Sequence, residues 1–183
     1  MPLDITFTLS DQDLDHFQKI IDQSKTAVAR QSDEQIEAAA RTLISDAGNS
    51  NLPNYFAERL AKLAVVINMA SDAEWALNEE ERSRILGALV YFCNPEDLIP
   101  DTVPGLGFLD DAIYVEIIIR ELKSEIDYYE EFSRFRTEEE VRRNEQGLDP
   151  YVDREAWLAD KRAALHKKMR KPRRTGGGWR LRW

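Results

Sequence analysis

Four aspartates that could bind a metal ion lie in one short stretch, NPEDLIPDTVPGLGFLDD, at residues 94–111. Carboxylate oxygens from a turn and from the start of a helix are the hard ligands that Mg²⁺, Mn²⁺ and Ca²⁺ require. Aspartates at such positions also cap turns and helix starts, because they accept hydrogen bonds from backbone N–H groups. The sequence leaves both alternatives open, a shared divalent cation or separate caps, although the spacing is not that of an EF-hand loop. The four residues are Asp97, Asp101, Asp110 and Asp111.

The two adjacent aspartates are predicted to differ in the helix face that they occupy. Helical spacing aligns Asp111 with Val115 and Ile118 on an apolar stripe. Asp110 aligns with Tyr114, toward the edge of that stripe. Burying a carboxylate is costly unless it is capped, paired or bound to a metal. We therefore expect Asp111 to have a specific partner.

Other side chains that could act as nucleophiles or bases are few. Cys93 falls on the apolar face of a predicted helix, as expected of a small core residue. His16 and His166 are expected on the surface. One cysteine and two histidines exclude an internal disulfide and a Cys/His zinc cluster. With no P-loop or dinucleotide motif, the enzyme alternative is a divalent-cation-dependent enzyme that uses the aspartates; otherwise we expect no cofactor.

The charge of the chain is unevenly distributed. The net charge is -9, yet residues 161–183 contain ten Lys or Arg and no Asp or Glu, which leaves 15 basic against 34 acidic side chains in the rest. This basic C-terminal segment suits an acidic protein, an anionic membrane surface or a nucleic acid, or it folds back transiently on the acidic body. We favour a protein or membrane partner, because the acidic body repels nucleic-acid phosphates. The predicted partner-binding residues are Lys167, Lys168, Arg170, Arg173, Arg174, Trp179, Arg180, Arg182 and Trp183.

Local signals predict helices along most of the chain. Ser32 with Gln35, and Asn78 with Glu81, have the spacing of capping boxes. Apolar spacing predicts a further helix over residues 54–70. For the N-terminal part the pattern predicts one short strand at residues 5–9, followed by a helix that begins near residue 10. A last helix is predicted from a cap at residue 153 to about residue 170.

The strongest periodicity follows the aspartate stretch. From Phe108 to Tyr129 apolar residues recur at alternating spacings of four and three, which predicts one long amphipathic helix with a polar, solvated end beyond Phe132. With the preceding apolar helix it would form a hairpin, so we predict an all-α helical bundle built around a central helix hairpin. A lone strand and a heptad-spaced helix are also compatible with a homodimer.

The connection inside this hairpin is predicted to be stiff. Each proline fixes its own φ and disfavours helix in the residue before it, while the apolar side chains anchor the connection and the glycine permits close backbone approach. The residues assigned to this structural motif are Pro95, Leu98, Ile99, Pro100, Pro104 and Gly107.

The run ALVYFCNPEDLIPDTVPGLGFLDDAIYVEIIIREL resembles the YkvA-like family, a bacterial domain of unknown function with the pattern P-x-D-L-I-P-D-x-x-P-x-x-G-x-x-D-D between two apolar helices. The resemblance covers residues 82–122 and implies no established activity. It also implies that hydrophobic members place the helix pair in a membrane. This sequence departs from those members at Glu116, Arg120 and Glu121, which interrupt the second helix.

These observations predict the organisation and role of the chain. We expect a helical domain at residues 1–145, a C-terminal helix at 146–172 and a flexible basic tail with tryptophans at 173–183. No charge-free stretch approaches the roughly 20 residues of a membrane-spanning helix, and the first residues lack the pattern of a secretory signal. The expected protein is cytoplasmic or peripheral to a membrane. Its expected role is that of a non-catalytic interaction or regulatory module.

Overall fold

A computed structural model describes residues 32–48, 54–93 and 109–170, together with the isolated residues 10, 12, 15 and 19. The predicted strand at residues 5–9 and the connection between residues 93 and 109 lie outside the described residues. Within the described residues the protein is all-α, as predicted. Residues 32–48, 54–93 and 109–170 contain six α-helices: α1 (Asp33–Gly48), α2 (Asn54–Ser71), α3 (Glu79–Leu89), α4 (Leu109–Glu121), α5 (Lys123–Glu145) and α6 (Arg154–Met169), with a 3-10 turn at Val90–Cys93 after α3.

Both predicted capping boxes are present. The Ser32 N–H donates to Gln35 Oε1 at 2.9 Å and the Gln35 N–H donates to Ser32 Oγ at 3.4 Å, which begins α1. At the start of α3 the Glu81 N–H donates to Asn78 Oδ1 at 2.8 Å, and the Asn78 N–H donates to Glu81 Oε2 at 3.1 Å. Each pair satisfies two N–H groups that the helix itself leaves without a partner.

Helix α2 is the centre of the bundle in the described part of the chain. Its residues Phe56, Leu63 and Ile67 are fully buried, and α2 contacts α1, α3, α4 and α5. The helices on either side of the aspartate stretch, α3 and α4, each pack more extensively against α2 than against one another. The predicted hairpin is therefore held together largely through a third helix.

The long helix predicted across residues 108–129 is broken at Leu122, which was not expected. Leu122 has φ -92° and ψ 11°, and it separates α4 from α5. The hydrogen-bond ladder nevertheless continues, because the Leu122 N–H donates to the Ile118 carbonyl and the Leu122 carbonyl accepts from the Ile126 N–H, both at 2.9 Å. All three side chains are buried. The two helices on either side of this break thus share one apolar stripe in one core.

Helix α6 is part of the same core. Its Leu158 and Leu165 are fully buried in the hydrophobic cluster that also contains the buried residues of α2. The ring centroids of Phe135 on α5 and Trp157 on α6 lie 6.2 Å apart. The end of α5 beyond Phe132 is consequently covered on one side by α6, so the prediction that it is solvated was wrong for that side.

The start of α6 was predicted correctly in position but not in mechanism. Asp153 occupies the N-cap position, yet its side chain makes no capping hydrogen bond and its φ is +53°. This left-handed conformation is sterically costly for a residue with a Cβ atom.

Among the described helices, none is both long enough and apolar enough to cross a membrane.

Candidate functional site

Asp110 and Asp111 lie in the first turn of α4, and both are buried, with 3% and 7% of their surfaces exposed. The prediction that Asp111 heads a buried stripe is confirmed, because Val115 and Ile118 are buried below it. The prediction that Asp110 lies toward the edge was wrong. The stripe below Asp110 and the stripe below Asp111 are both buried. The apolar spacing on one face of α4 therefore could not show that both aspartates are buried.

Tyr114 lies one turn after Asp110 and is fully buried. Burial raises the pKa of its phenol well above the ordinary value of 10, and the charges of Asp110 and Asp111 raise the pKa further. Tyr114 therefore stays a neutral phenol at physiological pH. The first turn of a helix favours the two carboxylates, because its backbone N–H groups and dipole stabilise negative charge there.

Convergence of the four aspartates stays a prediction. Asp97 and Asp101 lie outside the described residues, as does the structural motif of the connection: Pro95, Leu98, Ile99, Pro100, Pro104 and Gly107. Within residues 32–48, 54–93 and 109–170, no three His, Cys, Asp or Glu side chains are grouped so that they could hold a metal ion. The side chain of Cys93 and the residue His16 also lie outside the described part.

The cations of α6 divide into two groups. Lys161 pairs with Glu131 at 2.6 Å, Arg162 pairs with Glu155, and Arg170 pairs with Glu81 on α3 at 2.6 Å. These pairs hold α6 to its neighbours and to itself.

Lys167 and Lys168 form the second group and are both exposed. No ion pair found among the described residues includes either ammonium group. Residues 171–183 follow shortly after and lie outside the described residues. They include the rest of the predicted partner-binding tail: Arg173, Arg174, Trp179, Arg180, Arg182 and Trp183. Both ammonium groups are thus exposed to solvent, although the pKa of Glu131, which is lowered mainly by Lys161, is also lowered by the charge of Lys168.

A charged turn that sequence reasoning missed fixes α5 and α6 against the end of α2. Asp72 Oδ1 accepts the backbone N–H groups of Glu74 at 2.9 Å and Trp75 at 3.2 Å. Its other oxygen, Oδ2, accepts from the Tyr129 hydroxyl at 3.0 Å and from Arg136 Nη1 at 2.9 Å. Aspartate commonly accepts a hydrogen bond from its own backbone two residues further on, so Asp72 itself was the available signal.

Glu74 extends this cluster to α6. It accepts from Arg136 at 2.8 Å and from Arg154, which also donates to Glu140 on α5. The Arg154 guanidinium lowers the pKa of Glu74, and Arg136 lowers it further, although partial burial acts in the opposite direction. Glu74 is therefore charged throughout the physiological range and joins α5 to α6.

His166 is buried, with 6% of its surface exposed, so the expectation that it lies on the surface was wrong. Its ring packs edge-on against Trp75, with centroids 4.3 Å apart and planes at 88°. Trp75 in turn packs against Tyr129 and Phe132 at 5.8 and 5.1 Å. The sequence held a signal for this position, because His166 follows Leu165 on the apolar face of a helix whose other side carries the lysines.

The segment around α3 is anchored to the bundle at three points. Arg82 pairs with Asp33 and Glu37 on α1, and its Nε donates to the Ala70 carbonyl at 3.3 Å. Two residues along α3, Arg84 pairs with Glu125 on α5 at 2.7 Å. The arginines that open α3 therefore connect it to α1, α2 and α5.

Comparison with known proteins finds a family and a protein that resemble this chain. Residues 81–116 match the family described as "Protein of unknown function (DUF1232)". The chain is 34% identical over 65 residues to the "Uncharacterized membrane protein YkvA" of Bacillus subtilis (strain 168), an alignment that covers 32% of this chain and 61% of the relative. No solved structure matches the chain. These two matches support the resemblance to the YkvA-like family of proteins of unknown function, with the family match extending from α3 through the connection into α4.

Proposed function

We propose that the protein is a non-catalytic interaction module whose helical core presents a basic C-terminal segment to an acidic surface of a partner protein. The observation that supports this is the division of cations on α6. Lys161 and the C-cap residue Arg170 pair with carboxylates of α5 and α3, and Arg162 pairs with a carboxylate of α6 itself, whereas Lys167 and Lys168 are exposed in the last turn of the helix. Exposed cations on an otherwise acidic protein favour partners of opposite charge.

Affinity purification with the full chain and with a chain ending at residue 172 tests this proposal. We expect partners that are captured by the full chain and lost on truncation, and we expect binding of the purified pair to weaken as salt rises. A second variant, Lys167→Glu with Lys168→Glu, should reproduce the loss. The matched control is Arg120→Glu with Lys123→Glu, because those two exposed cations lie on α4 and α5 and α6 is left intact. An identical set of partners with and without residues 173–183 would refute the proposal.

Peripheral membrane association is a second candidate, and a separate observation favours it. The relative from Bacillus subtilis is named a membrane protein. Lysines and arginines beside tryptophans are the combination that binds anionic headgroups at a membrane interface. Each Lys or Arg contributes about 1 kcal/mol at an anionic surface, so the loss of Lys167 and Lys168 should weaken binding to anionic vesicles roughly 30-fold. Cosedimentation with phosphatidylglycerol vesicles and with neutral phosphatidylcholine vesicles measures this, and equal binding to both would exclude an electrostatic anchor.

The divalent-cation alternative is supported by the burial of two adjacent carboxylates, Asp110 and Asp111, in one helix turn. Isothermal titration with Mg²⁺, Mn²⁺ and Ca²⁺ tests it on the full chain. A bound cation should release or absorb heat that Asp111→Asn abolishes, while Asp127→Asn, an exposed aspartate on α5, should leave it unchanged. If none of the three ions produced heat of binding, the divalent-cation alternative would be wrong, and capping of the helix start would remain the role of the two carboxylates.

A further inference from the structure

His166 holds the last turn of α6 at a junction of three elements. Its ring rests on Trp75, in the turn between α2 and α3, and Arg170 Nη2 lies 3.3 Å from its Nδ1. Arg170 also donates to both carboxylate oxygens of Glu81 on α3, at 2.6 and 3.0 Å. One guanidinium thus connects the imidazole of α6 with the first turn of α3.

This arrangement requires a neutral imidazole. A guanidinium nitrogen only donates hydrogen bonds, so Nδ1 must accept and carries no proton. A proton on Nδ1 would place two N–H donors and two positive charges against each other. Arg162, one turn earlier on α6, adds a second positive charge near the ring, and Glu81 is the neighbouring carboxylate that would favour the charged form. Glu81, however, is already engaged by Arg170.

We infer that His166 is a proton-operated latch that fastens the C-terminal end of α6 to Trp75 and α3 when neutral and releases it when protonated. The released part would be the last turn of α6, from Leu165 to Arg170, because Leu158 and Arg154 secure the first half of the helix independently. Release needs only local opening of a helix end, which is the least stable part of a helix.

The direction of the pH effect follows from the environment of the ring. Burial lowers the pKa of His166 below its ordinary value of 6.5, and the charges of Arg170 and Arg162 lower it further, whereas Glu81 and a hydrogen bond with the Trp75 backbone act in the opposite direction without reversing the shift. A detached helix end exposes the ring and restores the ordinary pKa, so the open form binds a proton more readily. The closed form is therefore most stable above pH 6.5. As the pH falls from 6.5 toward the lowered pKa of His166, the equilibrium constant for closing decreases by at most tenfold per pH unit.

The consequence for binding rests on the proposed function. Lys167 and Lys168 lie in the turn that opens, so acidification would give the basic C-terminal segment more freedom to reach a partner. The latch itself can be tested without any partner, which keeps the two proposals separate.

Amide hydrogen exchange on the full chain between pH 7.5 and 5.5, corrected for the intrinsic exchange rate at each pH, tests the latch. We expect protection of the amides at residues 165–170 to fall up to tenfold in the wild type, while amides at the centre of α2 keep theirs. His166→Asn places its side-chain oxygen at the position of Nδ1, so it can still accept from Arg170 but does not titrate, and its protection should not change with pH. His16→Asn is the matched control, since it removes the other histidine of the chain and should behave as the wild type does.

A titration of the two histidine Cε1–H signals by NMR complements the exchange experiment and needs no variant that changes the core. His166 should titrate below pH 6.5. A His166 that titrates at or above pH 6.5, or protection at residues 165–170 that is the same at both pH values in the wild type, would overturn the inference.

Discussion

Replacing Asp72 should destabilise the protein far more than replacing an ordinary surface aspartate. Asp72 accepts from two backbone N–H groups, from the Tyr129 hydroxyl and from Arg136, and only 12% of its side chain is exposed. A neutral hydrogen bond contributes about 1 kcal/mol and one to a charged group about 1.5–3 kcal/mol, and removing a shared acceptor leaves several donors unsatisfied at once. For Asp72→Ala we therefore expect a loss of about 3–5 kcal/mol in the free energy of unfolding.

Urea denaturation followed by circular dichroism at 222 nm measures this loss. Asp72→Asn should cost less, about 1.5–3 kcal/mol, because its amide oxygen still accepts the two backbone N–H groups while its NH₂ group faces the Arg136 donor. The control is Asp127→Ala, which removes an exposed pair with Lys123 and should cost at most about 0.5 kcal/mol. If Asp72→Ala cost no more than Asp127→Ala, the turn at residues 72–76 would not hold α5 and α6 as argued.

Three further predictions follow from local contacts. Asn78→Ala should lower the free energy of unfolding by about 1 kcal/mol in the same urea assay, because it removes one side of the capping box of α3. Leu158→Ala should cost about 2–5 kcal/mol, because the side chain is fully buried in the core shared by α2 and α6; a loss below about 1 kcal/mol would mean that α6 is not part of that core. The lowered pKa of Glu74, caused chiefly by Arg154, contributes stability above pH 4.5 that is lost as the pH falls through the lowered value. Urea midpoints at pH 6 and pH 3 should therefore differ less in Glu74→Gln than in the wild type.

The parts of the fold that depend on neighbours in sequence could be predicted from sequence. The capping boxes at Ser32 and Asn78 join residues three positions apart, and the helix predicted at 54–70 agrees with α2 to within one residue. Such signals are local, since a helix start requires only a donor, an acceptor and the right spacing. The all-α class follows from the same signals summed along the chain.

The features that depend on distant contacts could not be predicted in this way. The bonds from Tyr129 and Arg136 to Asp72 join residues 57 and 64 positions apart, and no periodicity encodes them. The break at Leu122 leaves the spacing of apolar residues unchanged, so the pattern 4,3,4,3 describes two helices as well as one. Asp110 was misplaced because the prediction considered one buried face on α4, whereas that helix buries two.

His166 shows how composition can mislead about position. It lies among lysines and arginines, which suggested a solvated segment, but those cations are either paired with carboxylates of the body or directed to the opposite face of α6. The buried face of α6 that carries Leu158 and Leu165 extends to His166, whereas Ala164 on the other side of Leu165 is exposed. Burial lowers the pKa of His166, and the charges of Arg170 and Arg162 lower it further, so the basic end that we propose as a docking segment also opposes protonation of the buried imidazole. If both proposals hold, the same group of charges acts on the attachment of α6 and on the binding of a partner.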